Sequence, residues 1–219
     1  MSENYDGNGQ FLGAAMYPLD TVKYFEFSFK GNGDREDTCF YVLPLLAEHL
    51  RDNHVELTVL DLENRMLDDK QALPIIEALR GNTTVKELKL GRNMMDLALL
   101  ELSEILKTNQ TITKVDVRQN DINESAAIGF AEMLMCNTTI VELNLSSNHV
   151  ASAAKHLAVA LPMNSTLTKL YVEDCWIEDK EAELLLAALG KNSSITEFRG
   201  SNNRCDKKDV RKQLRSWAR

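Results

Sequence analysis

From about Leu57 onward the chain repeats itself every 27 or 28 residues. The units Val85-Lys-Glu-Leu-Lys-Leu90, Ile112-Thr-Lys-Val-Asp-Val117, Ile140-Val-Glu-Leu-Asn-Leu145 and Leu167-Thr-Lys-Leu-Tyr-Val172 superimpose without gaps. A period of this size marks a solenoid, because one supersecondary unit cannot bury its apolar face alone and must stack on its neighbours. The functional question therefore moves from a catalytic cleft to an extended surface.

Aligned on the first apolar residue of each strand core, the units read Phe25, Leu60, Leu88, Val115, Leu143, Leu170 and Phe198, with spacings from Leu60 of 28, 27, 28, 27 and 28. Two residues later come Phe27, Leu62, Leu90, Val117, Leu145 and Val172, then Gly200. Alternating apolar residues over a short run indicate a strand with one buried face, and the recurring register indicates parallel strands, each returned by a helix. The helices are legible backwards from Asn53, Asn82, Asn109, Asn137, Asn164 and Asn192. Apolar residues recur ten, seven and three positions earlier, as in Ala127, Phe130 and Leu134. That spacing makes one stripe facing the strand layer. The terminal Asn is expected to leave the helix in a left-handed conformation. The turn after Asn53 carries one extra residue.

Five residues after each strand anchor stand Arg65, Asn93, Asn120, Asn148, Cys175 and Asn203, followed two positions on by Leu67, Met95, Ile122, Val150, Ile177 and Cys205. This LxxLxLxxNxL pattern, with its 27/28 period and full helix, resembles the leucine-rich repeat of the ribonuclease-inhibitor type, strongly over 57–205 and in degenerate form over 22–56. The resemblance implies an α/β solenoid, with parallel strands on a concave face and helices on a convex one. It also implies an Asn ladder that satisfies backbone groups buried by the bend. Cys175 is read as a structural substitute, whereas Arg65 puts the geometry of its turn in question. The expected organisation is an irregular extension over 1–20, a degenerate capping repeat over 21–56, repeats over 57–205, and a basic amphipathic helix over 206–219. In that helix Val210, Leu214 and Trp217 share one face.

The formal net charge of −8 argues against broad nucleic-acid binding. It is unevenly spread: residues 206–219 carry six bases and two acids, a local +4, which leaves −12 on 1–205. No apolar run is long enough for a transmembrane helix, and residues 1–6 lack the features of a secretory signal. The four cysteines form no CxxC pair and no disulfide framework. Seven Asn-x-Ser/Thr sequons are present, most at one repeat position, where they read as turn chemistry. A cytoplasmic protein without cofactor, metal or membrane partner is expected. The loop Gly31-Asn-Gly33 lacks the Lys-Ser/Thr of a phosphate loop and is followed by acids; His49, His54, His149 and His156 share no metal spacing. Nothing in the motifs supports catalysis.

The outward strand residues line the concave surface. One column, Val59, Glu87, Lys114, Glu142, Lys169 and Glu197, alternates in charge and is read as mutual neutralisation. The next, Asp61, Lys89, Asp116 and Asn144, breaks into Tyr171 and Arg199. With Glu173, Asp174 and Trp176, these two form a candidate partner-binding patch, since Tyr, Trp and Arg are enriched at binding hot spots. Arg92 and Arg118 form a second candidate on the same rim. The set of repeats with a terminal helix looks most like the carboxyl-terminal domain of tropomodulins, actin-filament end cappers. That resemblance implies a non-enzymatic interaction module or scaffold, cytoskeletal or axonemal, with a protein partner. Ran-GTPase-activating proteins are also similar in repeat type. They imply the alternative, a regulator of a small GTPase, for which Arg92, Arg118 and Asn120 would be the contacts.

Overall fold

A computed structural model of the chain describes residues 24–26, 35–53 and 57–217, with side chains from Leu43 onward. Seven three-residue strands stand among the described residues: β1 (Tyr24–Glu26), β2 (Val59–Asp61), β3 (Glu87–Lys89), β4 (Lys114–Asp116), β5 (Glu142–Asn144), β6 (Lys169–Tyr171) and β7 (Glu197–Arg199). They form one parallel sheet in chain order. The helices α1 (Arg35–Asp52), α2 (Asp69–Ala78), α3 (Leu97–Leu106), α4 (Glu124–Cys136), α5 (Ala154–Ala160), α6 (Asp179–Lys191) and α7 (Lys208–Arg215) return the chain between strands or close it. The sheet register pairs Phe25, Leu60, Leu88, Val115, Leu143, Leu170 and Phe198 in succession, the same residues that anchor the sequence alignment. The expected extension over 1–20, the Gly31-Asn-Gly-Asp34 turn, His54, and the strand positions around Tyr24–Glu26 lie outside the described residues.

The core is the sum of these columns. Leu60, Leu88, Val115, Leu143 and Leu170 are buried, as are the helix-stripe residues Leu79, Leu106, Leu134, Leu161 and Leu189. Each fully buried aliphatic side chain contributes about 1.5–3 kcal/mol relative to exposure. Helices α3 and α4 approach closely: a Cβ on Gly129 would clash with Ser103 Oγ.

Two interior Asn ladders hold the turns in register. In the bend ladder, Asn148 Nδ2 donates to Val117 O and Leu145 O, each at 3.0 Å, while its Oδ1 accepts from the backbone N–H of Asn120 and of Ile122. Cys175 keeps a weaker version, its Sγ donating to Leu145 O at 3.4 Å. Arg65 does not disturb its turn. Its N–H and that of Leu67 donate to Asn93 Oδ1 at 3.0 Å, as those of Cys175 and Ile177 do to Asn203 Oδ1.

The second ladder corrects an expectation. Asn82, Asn137 and Asn192 leave their helices with extended backbone, at φ −76°, −74° and −73°; only Asn53, before the inserted residue, is left-handed, at φ 53°. The side chain explains the difference. Asn137 Nδ2 donates to Leu106 O of the preceding repeat, and Oδ1 accepts from Thr139 and Ile140 N–H in its own turn. This two-sided bond requires the amide to point back under the previous helix, which an extended exit provides. Thr139 Oγ1 also donates to Asn137 Oδ1, so at these positions the sequon is the turn motif itself, and its Asn is buried.

The alternating length of the repeat has a backbone counterpart. Four residues after each anchor, Asn64, Arg92, Gln119, Ser147, Asp174 and Asn202 all have positive φ. Two residues further on, only Met66, Asp121 and Trp176 do, at 55°, 55° and 61°. These three belong to the 28-residue units that begin at Leu60, Val115 and Leu170. In the alternate units Met94, His149 and Arg204 instead donate their N–H to Leu67 O, Ile122 O and Ile177 O.

Helix α7 buries Val210 and Leu214; it ends at Arg215, so Trp217 lies beyond it and packs edge-on against Phe198, with ring centroids 6.0 Å apart. Among the described residues no helix is long and apolar enough to cross a membrane.

Candidate functional site

The seven candidate residues fall into two separate groups: Arg92, Arg118, Glu173, Asp174 and Trp176 lie in the loops that leave the C-terminal ends of the strands and form a rim, whereas Tyr171 and Arg199 end β6 and β7. Arg92 and Arg118 belong to the first. Arg118 leans back across two repeats and donates to Glu63 Oε1 at 2.7 Å, while its other guanidinium nitrogen pairs with Asp116. Gly91 makes the crossing possible: a Cβ there would lie 3.0 Å from Arg118 Cγ. Arg92 Nε lies 3.7 Å from the same Glu63 oxygen, and the left-handed Arg92 donates its N–H to Arg118 O at 2.8 Å. Burial raises the Asp116 carboxyl, with Arg118 opposing it. Both guanidiniums that a GTPase-regulator reading would need at the rim are thus engaged by Glu63.

The second group is the other five, on β6, the loop after it and β7. On the concave face the Arg199 guanidinium lies 5.0 Å from the Tyr171 ring centroid and pairs with Glu197 at 2.7 Å. Burial, then the charges of Glu142 and Glu197, push the Tyr171 hydroxyl up to about 12. Burial works against the charged form of Glu197, but hydrogen bonds from Arg199 and Tyr171 hold its carboxyl below the usual range. Ser201 donates to the Glu173 carboxylate, and Asp174 accepts from Ser147 Oγ at 3.4 Å.

Trp176, in the loop after β6, is 45% exposed. His149 of the preceding repeat meets its ring edge-on at 4.2 Å, and the Arg204 guanidinium of the following repeat lies 3.7 Å from its centroid. The indole is therefore fixed from both neighbours while much of it faces solvent. Equivalent positions in the first repeats hold Met66 and Met94, also exposed.

Sequence columns single out Tyr171, Arg199 and Trp176; the structure sets Arg199 over Tyr171 and places Trp176 between His149 and Arg204, and the columns miss Glu63, Gly91, His149 and Arg204. Glu63, Gly91 and Arg118 occupy one column, so a Gly between an acid and a base was the available signal. His149 and Arg204 likewise share the column of Trp176.

The repeat, the parallel sheet and the two ladders define a leucine-rich-repeat fold. The family model described as "Leucine Rich repeat" matches residues 108–131, 136–153 and 164–185. Among known proteins, leiomodin-2 of Rattus norvegicus is 30% identical over 128 residues, covering 56% of this chain and 23% of leiomodin-2. The protein phosphatase 1 regulatory subunit 37 homolog of Caenorhabditis briggsae is 30% identical over 123 residues, 53% of this chain and 13% of that protein. The chain thus spans less than a quarter of the relatives it matches. In structure it is similar to the leiomodin-1 segment known as actin-binding site 2, with TM-score 0.60 and 24% identity over 68% of this chain and 87% of that one. It is also similar to the tropomodulin C-terminal domain of Caenorhabditis elegans, with TM-score 0.57 and 14% identity over 68% and 92%. These two likenesses concern the fold.

Proposed function

We propose that the chain is a non-enzymatic protein-binding module, a scaffold of the cytoskeletal or axonemal kind. It holds its partner through the concave face and the C-terminal rim around Tyr171, Trp176 and Arg199. The observation that carries this reading is Trp176: an exposed indole immobilised between His149 and Arg204 presents a large contact area with little ordering left to lose on binding. The cytoskeletal element rests on the leiomodin likeness, and the similarity to actin-binding site 2 of leiomodin-1 makes actin the first partner to try.

The test combines co-sedimentation with actin filaments and cross-linking in the native cell. The chain is compared with a variant carrying Tyr171→Ala, Trp176→Ala and Arg199→Ala. Loss of partners from the variant, with its fold intact by circular dichroism, supports the patch. An unchanged set of partners removes it.

A further inference from the structure

Helix α7 carries charge that its own stability does not explain. Val210 and Leu214 face inward, while Lys208, Lys212 and Arg215 are exposed and recur at i, i+4 and i+7, a single ridge about 10 Å long. Like charges at these spacings disfavour a helix by a few tenths of a kcal/mol per pair. Lys212 and Arg215 in the last turn complement the helix dipole, but Lys208 stands at its positive end. None of the three has a carboxylate partner among the described residues. The neighbouring bases are engaged: Lys207 pairs with Glu183 at 2.6 Å, and Arg211 folds back so that its Nε donates to Cys205 O at 2.8 Å.

Arg204, four residues before the ridge, is stacked on Trp176 and likewise has no carboxylate partner among the described residues. A stacked guanidinium keeps its planar N–H edge free for bidentate binding of a carboxylate, and stacking has already fixed its orientation.

We propose that this corner is a docking surface for an acidic segment of a protein partner. Arg204 takes an Asp or Glu carboxylate in a two-pronged bond, an apolar side chain of the same segment lies on the open part of the Trp176 indole, and Lys208, Lys212 and Arg215 face further acids. The proposal rests on the protein-binding reading above and adds the chemistry of the partner. A short acidic segment is favoured over a long polyanion because the remainder of the chain, residues 1–205, carries −12 and repels anything extending past the corner.

The probe is a fluorescein-labelled peptide of Glu residues flanking one Leu, titrated with the full chain by fluorescence anisotropy. Binding is expected, weakening about tenfold from low to above-physiological ionic strength. Arg204→Ala and the triple variant Lys208→Glu, Lys212→Glu, Arg215→Glu should each weaken it about tenfold or more. Arg204→Lys, which keeps the charge but loses the fork, should also weaken it, and Lys114→Glu on the concave face should not. Peptide affinity unchanged in the corner variants overturns the proposal. So does stronger binding of duplex DNA or of phosphatidylserine vesicles that the same variants abolish. If Trp176→Ala removes cellular partners while the peptide fails to bind, only this inference falls. If Trp176→Ala leaves every partner in place, the protein-binding reading itself falls.

Discussion

The concave face and the C-terminal corner use the same kinds of residue to opposite ends. On the strands every base meets an acid of its own or a neighbouring repeat: Lys89 with Asp61, Lys114 with Glu87, Lys169 with Glu142 and Glu197, Arg199 with Glu197. Strands about 4.8 Å apart bring successive members of a column within reach, so a column that alternates in sign neutralises itself. At the corner β7 is the last strand described and α7 follows it, and Arg204, Lys208, Lys212 and Arg215 are exposed with no carboxylate partner among the described residues. Charge is thus neutralised along the strands and left unpaired at this corner, where a partner can use it.

The harshest way to break the contrast is to remove the interior register on which both regions depend. Asn148→Ala would strip the N–H groups of Asn120 and Ile122 of their acceptor and the carbonyls of Val117 and Leu145 of a donor. A loss of about 2–4 kcal/mol is expected, read as a lower urea midpoint. A midpoint unchanged within error would mean that the ladder does not hold the turns.

A smaller effect separates binding from folding at the corner. Trp176 is held at φ 61°, a conformation that disfavours a side chain and suits glycine. Trp176→Gly relieves the backbone while removing the contacts with His149 and Arg204, so stability should change by less than about 1 kcal/mol. Partner affinity, by contrast, should fall about thirtyfold, as for a central aromatic anchor. Parallel thermal melts and binding titrations check both halves; a fall in stability matching the fall in affinity would make the indole a packing residue.

In the corner repeat the bend ladder runs through a thiol in place of an Asn, and this gives a pH signature. Burial pushes the Cys175 thiol up to about 12. Unfolded, a thiol titrates near about 8.5. The folded value is the higher one, so the thiol's contribution is complete below about pH 8.5 and is lost progressively as the pH rises towards 12. Tyr171 behaves alike above about pH 10, since its folded value is also about 12. Cys175→Asn restores the ladder residue found at Asn148 and Asn203. It should add about 1 kcal/mol at neutral pH and reduce the loss between about pH 8.5 and 10, leaving in place the share of Cys205, whose thiol burial also raises, and the Tyr171 phase. Melting curves of both chains across that range decide it, and an alkaline loss identical in the variant would exclude the thiol.

Most of the scaffold is legible in the sequence because a solenoid repeats its physics at a fixed interval. The strand register, the bend ladder and the charge columns each follow from residues 27 or 28 apart. What escapes is whatever does two jobs or skips a repeat. Asn137 looks like a left-handed helix exit until its amide is seen to bind the previous turn as well as its own. Arg118 reaches Glu63 over the intervening Gly91, which no comparison of adjacent repeats brings out. The alternating repeat length is visible in the sequence, yet its meaning, a second left-handed residue at Met66, Asp121 and Trp176, is a property of the backbone. At the candidate site the columns point to Trp176, but its orientation depends on His149 and Arg204, residues unlike each other and unlike their equivalents.

The smallest effect tests the contrast by its sign. Lys114 reaches Glu87 at 3.6 Å and stands beside Glu142 in the sheet register, so Lys114→Met leaves these two acids facing a neutral side chain. The loss should be about 0.5 kcal/mol, since exposed pairs are worth little, and salt should shrink it further. Lys208→Met removes a base that stands at the positive end of α7 and four residues from another base; it should therefore gain a few tenths of a kcal/mol, also diminishing with salt. Equal charge removal thus lowers stability on the face and raises it at the corner. Chemical denaturation of both variants at two ionic strengths measures the pair. A loss at both positions would mean that α7 draws stability from Lys208 through a contact of its own, and the corner would then be neutralised in the same manner as the face.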